Sequence, residues 1–295
     1  MIIVKIWGGL GNQMFQYAMA KALALKFNFE LKLDISHYSK NISNETPRQF
    51  RLNIFHGITD EIASQKDINT CITTFKVPIF NSIYKIINRK FSIFNPNYII
   101  EKDKSFRSIE YIGTKNLFLE GYWQSEEYFK EYREHILNSF NLERLFDNSE
   151  LALKVKQIEM FNSISIHVRR GDYVSNIQAN SYHGICSLAY YEDAIKAIVN
   201  SLQYESVRFY IFSDDISWCK ENLKISYDHE YITTTEDYHD LFLMGQCKHN
   251  IIANSSFSWW AAWLNPYIEK KVIAPKNWFV TEDVDNIVPN EWIRI

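Results

Sequence analysis

Apolar residues follow two rhythms along this chain. Residues 2–6 form a short apolar run, 8–11 a tight glycine loop, and 14–27 an Ala/Leu-rich segment with helical spacing, while 30–33 alternates as a strand does. This order predicts a βαβ opening. From about residue 36 to 113 the pattern weakens, broken at Thr46-Pro47, Val77-Pro78 and Asn95-Pro96, and it predicts only short helices. Order returns with a strand at 116–120 and the tetrapeptide Gly121-Tyr122-Trp123-Gln124. Next comes a helix capped by Ser125, with Glu126 and Glu127 in its first turn, running to about Ser139.

The second half alternates more regularly. Strands are expected at 164–168, 207–212, 229–232, 251–253 and 271–274, and helices at 188–202, 216–223, 238–247 and 257–264. Such βα alternation predicts an α/β fold with a mainly parallel sheet covered by helices on both faces. The polar stretch 148–150 lacks a strand pattern, and 295 residues exceed what one core usually holds. Two domains, 1–150 and 151–295, are therefore expected.

Composition narrows the function. A net charge of −3 lacks the basic excess of a nucleic-acid binder, so an anionic ligand must be held by a local cluster. Cys71, Cys186, Cys219 and Cys247 form no CxxC pair, which argues against a zinc ribbon and fits reduced thiols. The start has no signal-peptide pattern, and no run of about 18 apolar residues occurs. Lys76, Lys85, Arg89 and Lys90 lie in an aliphatic and aromatic stretch, which leaves loose attachment to a membrane surface open. A solvated helix face is the favoured reading there.

Three strands of the second half lead into polar clusters: Arg169-Arg170-Gly171-Asp172, Ser213-Asp214-Asp215 and Asn254-Ser255-Ser256. In open α/β sheets ligands bind beyond the carboxyl ends of the strands, so these loops are expected to line one crevice. Paired guanidinium groups suit a diphosphate, with Asp172 holding one arginine in place. Ser255 and Ser256 open a helix whose first-turn N–H groups offer a second phosphate cradle, although serines there ordinarily cap the helix. Asp214 suits a guanine edge or a ribose. His167, alternating within a strand, reads as a core histidine.

The first loop is neither of two familiar patterns. It lacks a Gly-Lys-Ser/Thr ending, and Met14 stands where a dinucleotide fingerprint needs its third glycine. What remains is a loop bringing the backbone at Gly9 and Gly11 and the amides of Asn12 and Gln13 close to a ligand. Asp283-Val284-Asp285 has the letters of a manganese site but lies near the end of the chain. Trp123, Trp259, Trp260 and Trp263 raise the alternative of a glycan-binding protein, yet tryptophans of this kind are more often core.

Taken together, IWGGLGNQMFQYA at 6–18, GYWQ at 121–124, HVRRGDY at 167–173, FSDD at 212–215 and IIANSSFSWWAAWL at 251–264 resemble glycosyltransferase family 11, the α-1,2-fucosyltransferases. The resemblance implies a GT-B-like fold, with two Rossmann-like α/β domains facing a central cleft. The first domain would carry the acceptor side and the glycine loop, and the second GDP-fucose. It implies inverting transfer of fucose to the 2-hydroxyl of a galactose-containing glycan, without a metal or other cofactor. His167, Arg169, Arg170 and Asp172 match the HxRRxD motif, with Arg169 expected on the β-phosphate. Ser255 and Ser256 match positions near the diphosphate and Asp214 one near guanine. The base stays open between Glu120 and His183, and an oxocarbenium-like transition state lessens the need for one. Eukaryotic members carry a Golgi anchor before the glycine loop, whereas this chain begins at the strand. The implied setting is thus the bacterial cytoplasm, where a lipid-linked oligosaccharide of an O-antigen or other surface polysaccharide is fucosylated, with peripheral membrane contact open.

Overall fold

The computed structural model describes residues 1–39, 48–72, 78–90, 95–109, 116–171, 181, 184–202, 206–280, 284 and 286–295. The chain divides into two compact units, Met1–Asn141 and Leu142–Ile295. The polar stretch at 148–150 is a helix start: the Asn148 side chain accepts from the N–H groups of Glu150 and Leu151.

Unit 1 runs β1 (Ile2–Lys5), α1 (Leu10–Phe27), β2 (Leu31–Asp34), β3 (Glu61–Ile62), α2 (Gln65–Cys71), α3 (Pro78–Lys90), β4 (Tyr98–Ile100), β5 (Leu117–Glu120) and α4 (Arg133–Ser139). Its sheet is parallel in the order β3-β2-β1-β5-β4, with Ile2 paired to Leu31 on one side and Leu117 on the other. Ile2, Ile3 and Val4 are wholly buried, as a central strand covered on both faces requires. Helix α1 starts four residues before its expected beginning at Met14, with Gly9 at its N-cap, so Gly11, Asn12 and Gln13 belong to its first turn. The expected helix over 125–139 is interrupted instead. Two 3-10 turns, Glu126–Tyr128 and Lys130–Tyr132, precede α4, because Phe129 leaves helical geometry at φ −140° and packs in the core against Phe15.

Unit 2 runs α5 (Ser149–Glu159), β6 (Ser163–Val168), α6 (Leu188–Ser201), β7 (Arg208–Ser213), α7 (Ile216–Asn222), β8 (Asp228–Tyr231), α8 (Asp237–Gln246), β9 (His249–Ile251), α9 (Ser256–Leu264), β10 (Val272–Ala274) and β11 (Ile293–Arg294). Its six strands are also parallel, in the order β11-β10-β9-β6-β7-β8. Ile164, Ile166, Phe209 and Ile211 pack with Tyr191, Ile195 and Ile198 of α6 into one core. Trp259, Trp260 and Trp263 of α9 are fully buried, and the Trp259 indole N–H donates to the Ile287 carbonyl at 2.7 Å. These three rings are core and not a glycan platform, and Trp123 is buried as well. The chain is thus an α/β protein of two Rossmann-like units with parallel sheets.

Among the described residues, no helix is long and apolar enough to cross a membrane. The stretch favoured as a solvated helix face does form a helix, α3. Its outward side, however, is apolar: Ile79, Phe80, Ile83, Ile86 and Ile87 are all exposed. Lys76 lies outside the described residues.

Candidate active site

Each sheet has a point where strand order reverses, and the chemically distinctive motifs lie at the two reversals. In unit 1 the reversal separates β1 from β5, and the loops leaving those strands are Trp7-Gly8-Gly9 and Gly121-Tyr122-Trp123-Gln124. The Gln124 side-chain amide donates to the side-chain Oδ1 of Asn12 at 2.8 Å, and the Trp7 and Tyr122 rings lie 5.2 Å apart. In unit 2 the reversal separates β6 from β9, which carry Arg169 and Ser255 beyond their carboxyl ends. Such reversals open a crevice for ligands.

The glycine loop is held from within. Gly8 has φ +80°, a conformation side chains rarely adopt, and a Cβ there would meet Asn12. Gln13 was expected to face a ligand, but it is completely buried. Its amide donates to the Gly8 and Gln49 carbonyls at 3.0 and 2.8 Å, and its oxygen accepts from the Arg51 N–H at 2.9 Å. Gln13 shapes the loop, then, and is not available to a substrate. Gln16 does likewise for Trp7 through two backbone bonds, and Tyr38 donates to the Gly8 carbonyl. Gly9, Gly11 and Asn12 stand at the start of α1, with Asn12 part-buried beside Gln124.

In unit 2 the Arg169 guanidinium meets Asp214 at 2.8 Å, and the other Asp214 oxygen accepts the Arg170 N–H at 2.9 Å. Asp214 therefore orients the arginine loop, the part expected of Asp172; Asp172 and His183 lie outside the described residues. Gly171 permits this approach, since a Cβ there would fall 2.5 Å from Asp214 Oδ2. Arg170 lies with its Cζ 3.7 Å from the Trp218 ring centre and pairs with Asp215 at 3.4 Å. It is consequently turned towards α7, whereas Arg169 meets Asp214.

His167 is buried, with its Nδ1 lacking a hydrogen-bond partner and its ring 5.9 Å from Phe257 of α9. Burial, helped by the neighbouring Arg169 charge, holds its pKa well below the usual histidine range, so the imidazole is neutral. Asn254, expected on the donor, instead ties loops together. Its amide donates to the Gly184 and Trp278 carbonyls, and its oxygen accepts from the Cys186 thiol. Ser255 occupies the N-cap of α9 yet its side chain makes no capping bond, and Ser256 begins the helix. A helix N-terminus without a side-chain cap is suited to an anion. Beyond β8, at the same sheet edge, a cavity of about 330 Å³ is lined by Thr233, Thr234, Thr235 and His239.

Glu120 is not a base awaiting a proton. It is buried, paired with Lys5 at 2.9 Å and Lys85 at 2.6 Å, and accepts from the Tyr98 hydroxyl. Burial alone would raise its pKa, but the two ammonium groups and the hydrogen bonds outweigh it and hold the carboxyl down at about 2. The reading from sequence missed Glu101, which follows β4. Burial pushes Glu101 up to about 7, against the backbone N–H bonds it accepts from Tyr122 (2.6 Å) and Trp123 (3.0 Å). It lines a cavity of about 450 Å³ with Tyr98, Arg107, Trp123 and Tyr128. The only sequence signal for it was the short apolar run Tyr98-Ile99-Ile100 before a charged cluster.

Residues 1–295 match the family described as glycosyl transferase family 11. The chain is 35% identical over 306 residues to an alpha-1,2-colitosyltransferase of Escherichia coli, covering 100% of this chain and 98% of that protein. It is 35% identical over 305 residues to the O-antigen biosynthesis glycosyltransferase WbnK of Escherichia coli, covering 98% of each. A galactoside alpha-(1,2)-fucosyltransferase 1 of Saimiri sciureus is 26% identical over 163 residues, 52% of this chain and 44% of that protein. With its whole length matched and its strand-end motifs gathered at the two sheet reversals, the chain belongs to glycosyl transferase family 11.

Proposed function

We propose that this glycosyltransferase moves fucose from GDP-β-L-fucose to the 2-hydroxyl of a galactose in a bacterial surface polysaccharide, with inversion and without a metal. The observation that carries this reading is Arg169 and an uncapped α9 N-terminus at the reversal between β6 and β9. As the sugar–phosphate bond breaks, charge grows on the leaving β-phosphate, where a fixed guanidinium and helix N–H groups stabilise it most. Asp214 meets the guanidinium at 2.8 Å and so fixes the direction in which its charge is presented. Unit 2 accordingly takes the donor and unit 1 the acceptor side. The cytoplasmic face of the membrane, where lipid-linked glycans are built, is the proposed setting.

A second reading concerns the sugar alone. The colitosyltransferase at 35% identity makes the same α-1,2 linkage by name, and colitose is fucose without its 3-hydroxyl. The two donors are separable, because a site built to bond a hydroxyl rejects the analogue lacking it by roughly 10⁴–10⁵. Purified protein should be given GDP-fucose or GDP-colitose with a β-galactoside in EDTA. An α-1,2-fucosylated product from GDP-fucose supports the whole reading; product from GDP-colitose alone replaces the sugar, and no product until manganese is added removes metal independence.

For the attacking hydroxyl, Glu101 is the base in this reading, since its carboxyl is near half-ionised at neutral pH whereas Glu120 is not. The acid limb of the kcat/KM profile is expected to fall away near pH 7 in the native protein. In Glu101→Gln that limb should be lost together with about 10²-fold in rate. An unaltered profile in that variant would remove Glu101 from the mechanism.

A further inference from the structure

Helix α3 presents its polar side to the protein and its apolar side to solvent. Inward, Asn88 is 2% exposed and donates to the Tyr98 carbonyl at 2.7 Å. Tyr84 stacks on the Tyr98 ring at 6.1 Å, and its hydroxyl accepts from Asn95. Lys85, three residues before Asn88, reaches Glu120. Outward, Ile79, Phe80, Ile83, Ile86 and Ile87 are 62, 52, 46, 66 and 38% exposed. Their separations of three and four residues place them on one helical face. Four large aliphatic side chains exposed along one helical face, Ile79, Ile83, Ile86 and Ile87, mark a surface that meets something apolar.

Charge identifies the partner. No Asp or Glu occurs between Asp67 and Glu101, whereas Lys76, Arg89 and Lys90, besides the Lys85 already paired with Glu120, fall within that interval, in a chain whose overall charge is −3. An apolar helical face in an exclusively basic segment matches the headgroup–acyl boundary of an anionic bilayer. A second copy of the chain fits less well. A two-fold contact sets the same basic segment against itself, with no acidic residue in it to pair.

We propose that α3 docks unit 1 on a membrane of anionic phospholipid, inserting Ile79, Phe80, Ile83, Ile86 and Ile87. The proposal is independent of which sugar is transferred.

The test is sedimentation of the full chain with vesicles of phosphatidylglycerol and phosphatidylcholine, beside vesicles of phosphatidylcholine alone. Partition onto the anionic vesicles should be at least about tenfold stronger, at roughly 1 kcal/mol for each basic residue near the surface. The Ile83→Glu/Ile86→Glu variant should lose about tenfold or more of that binding while keeping the native circular dichroism spectrum and melting temperature. Ile83→Ser/Ile86→Ser serves as the comparison if the acidic pair disturbs folding, with the same loss expected. Failure of the native chain to sediment with anionic vesicles would overturn the proposal, as would native-like binding by a folded variant. So would a lipid-free dimer that either variant dissociates, because α3 would then be covered by a second copy.

Discussion

Arg169→Ala should lower kcat by about 10²–10³, the usual effect of removing one donor from a developing oxyanion, with the melting temperature nearly unchanged. The two expectations have separate origins. Arg169 and Asp214 are each about a quarter exposed, so their ion pair is partly in water and contributes on the order of 1 kcal/mol or less. After the substitution Asp214 still accepts the Arg170 N–H at 2.9 Å, and its carboxylate is a quarter exposed to water. Arg169→Lys should recover part of the rate, since the charge remains while the planar fork of donors does not. The measurement is kcat and KM for donor turnover alongside a thermal melt. Near-native kcat in a folded Arg169→Ala protein would move leaving-group stabilisation elsewhere.

Glu120→Gln should show the reverse, a large loss of stability with no change in the pH dependence of turnover. Its carboxylate lies between Lys5 and Lys85 under the Tyr98 hydroxyl, and removing the charge leaves Lys5 facing a neutral amide in a largely buried setting. A folded pKa of about 2, against an ordinary value near 4.3, corresponds to about 3 kcal/mol. The sign follows from the depressed value. This stabilisation is complete above the unfolded pKa and is lost as pH falls towards 2, so native unit 1 should weaken in that window and the variant should not weaken further there. A thermal melt at neutral pH should show the transition lowered by roughly 6–12 °C. Normal stability together with loss of the acid limb of the rate profile would restore Glu120 as the base.

The contrast between Glu120 and Glu101 shows where a reading from residues stops. Both are glutamates just past or at the end of a strand of the same sheet, and local pattern ranks them alike. What separates them is the company supplied from afar: paired lysines from β1 and α3 for one, burial against two backbone N–H groups and the weaker, opposed charges of Lys104 and Asp103 for the other. Gln13 and Asn254 teach the same lesson. Each stands in a ligand-loop motif, and each uses its amide to satisfy backbone carbonyls brought from other parts of the chain. Ser255 reverses it, because a residue type that ordinarily caps a helix leaves its cap unmade.

Much of the architecture was legible because its signals are local. The runs that became β1, β5, β6 and β7 are short and apolar with turn residues behind them, and the helices between them carry helical spacing, whereas β9 lies at His249–Ile251, two residues before the apolar run expected at 251–253. Strands β3, β4 and β11 contain only two or three residues, which is too few to express a period, and they exist because a neighbouring strand is there to pair with. The sequence by itself therefore determined two α/β halves, their glycine and arginine motifs and the strand ends that carry them. Only the tertiary structure decided the strand order that brings β6 beside β9, the partners that make Asp214 an orienting group and Glu120 a structural one, and the outward turn of the α3 isoleucines. Hydrogen-bond partners, charges and cover come from residues distant in the chain, and their effect on a side chain exists only once folding has placed them beside it.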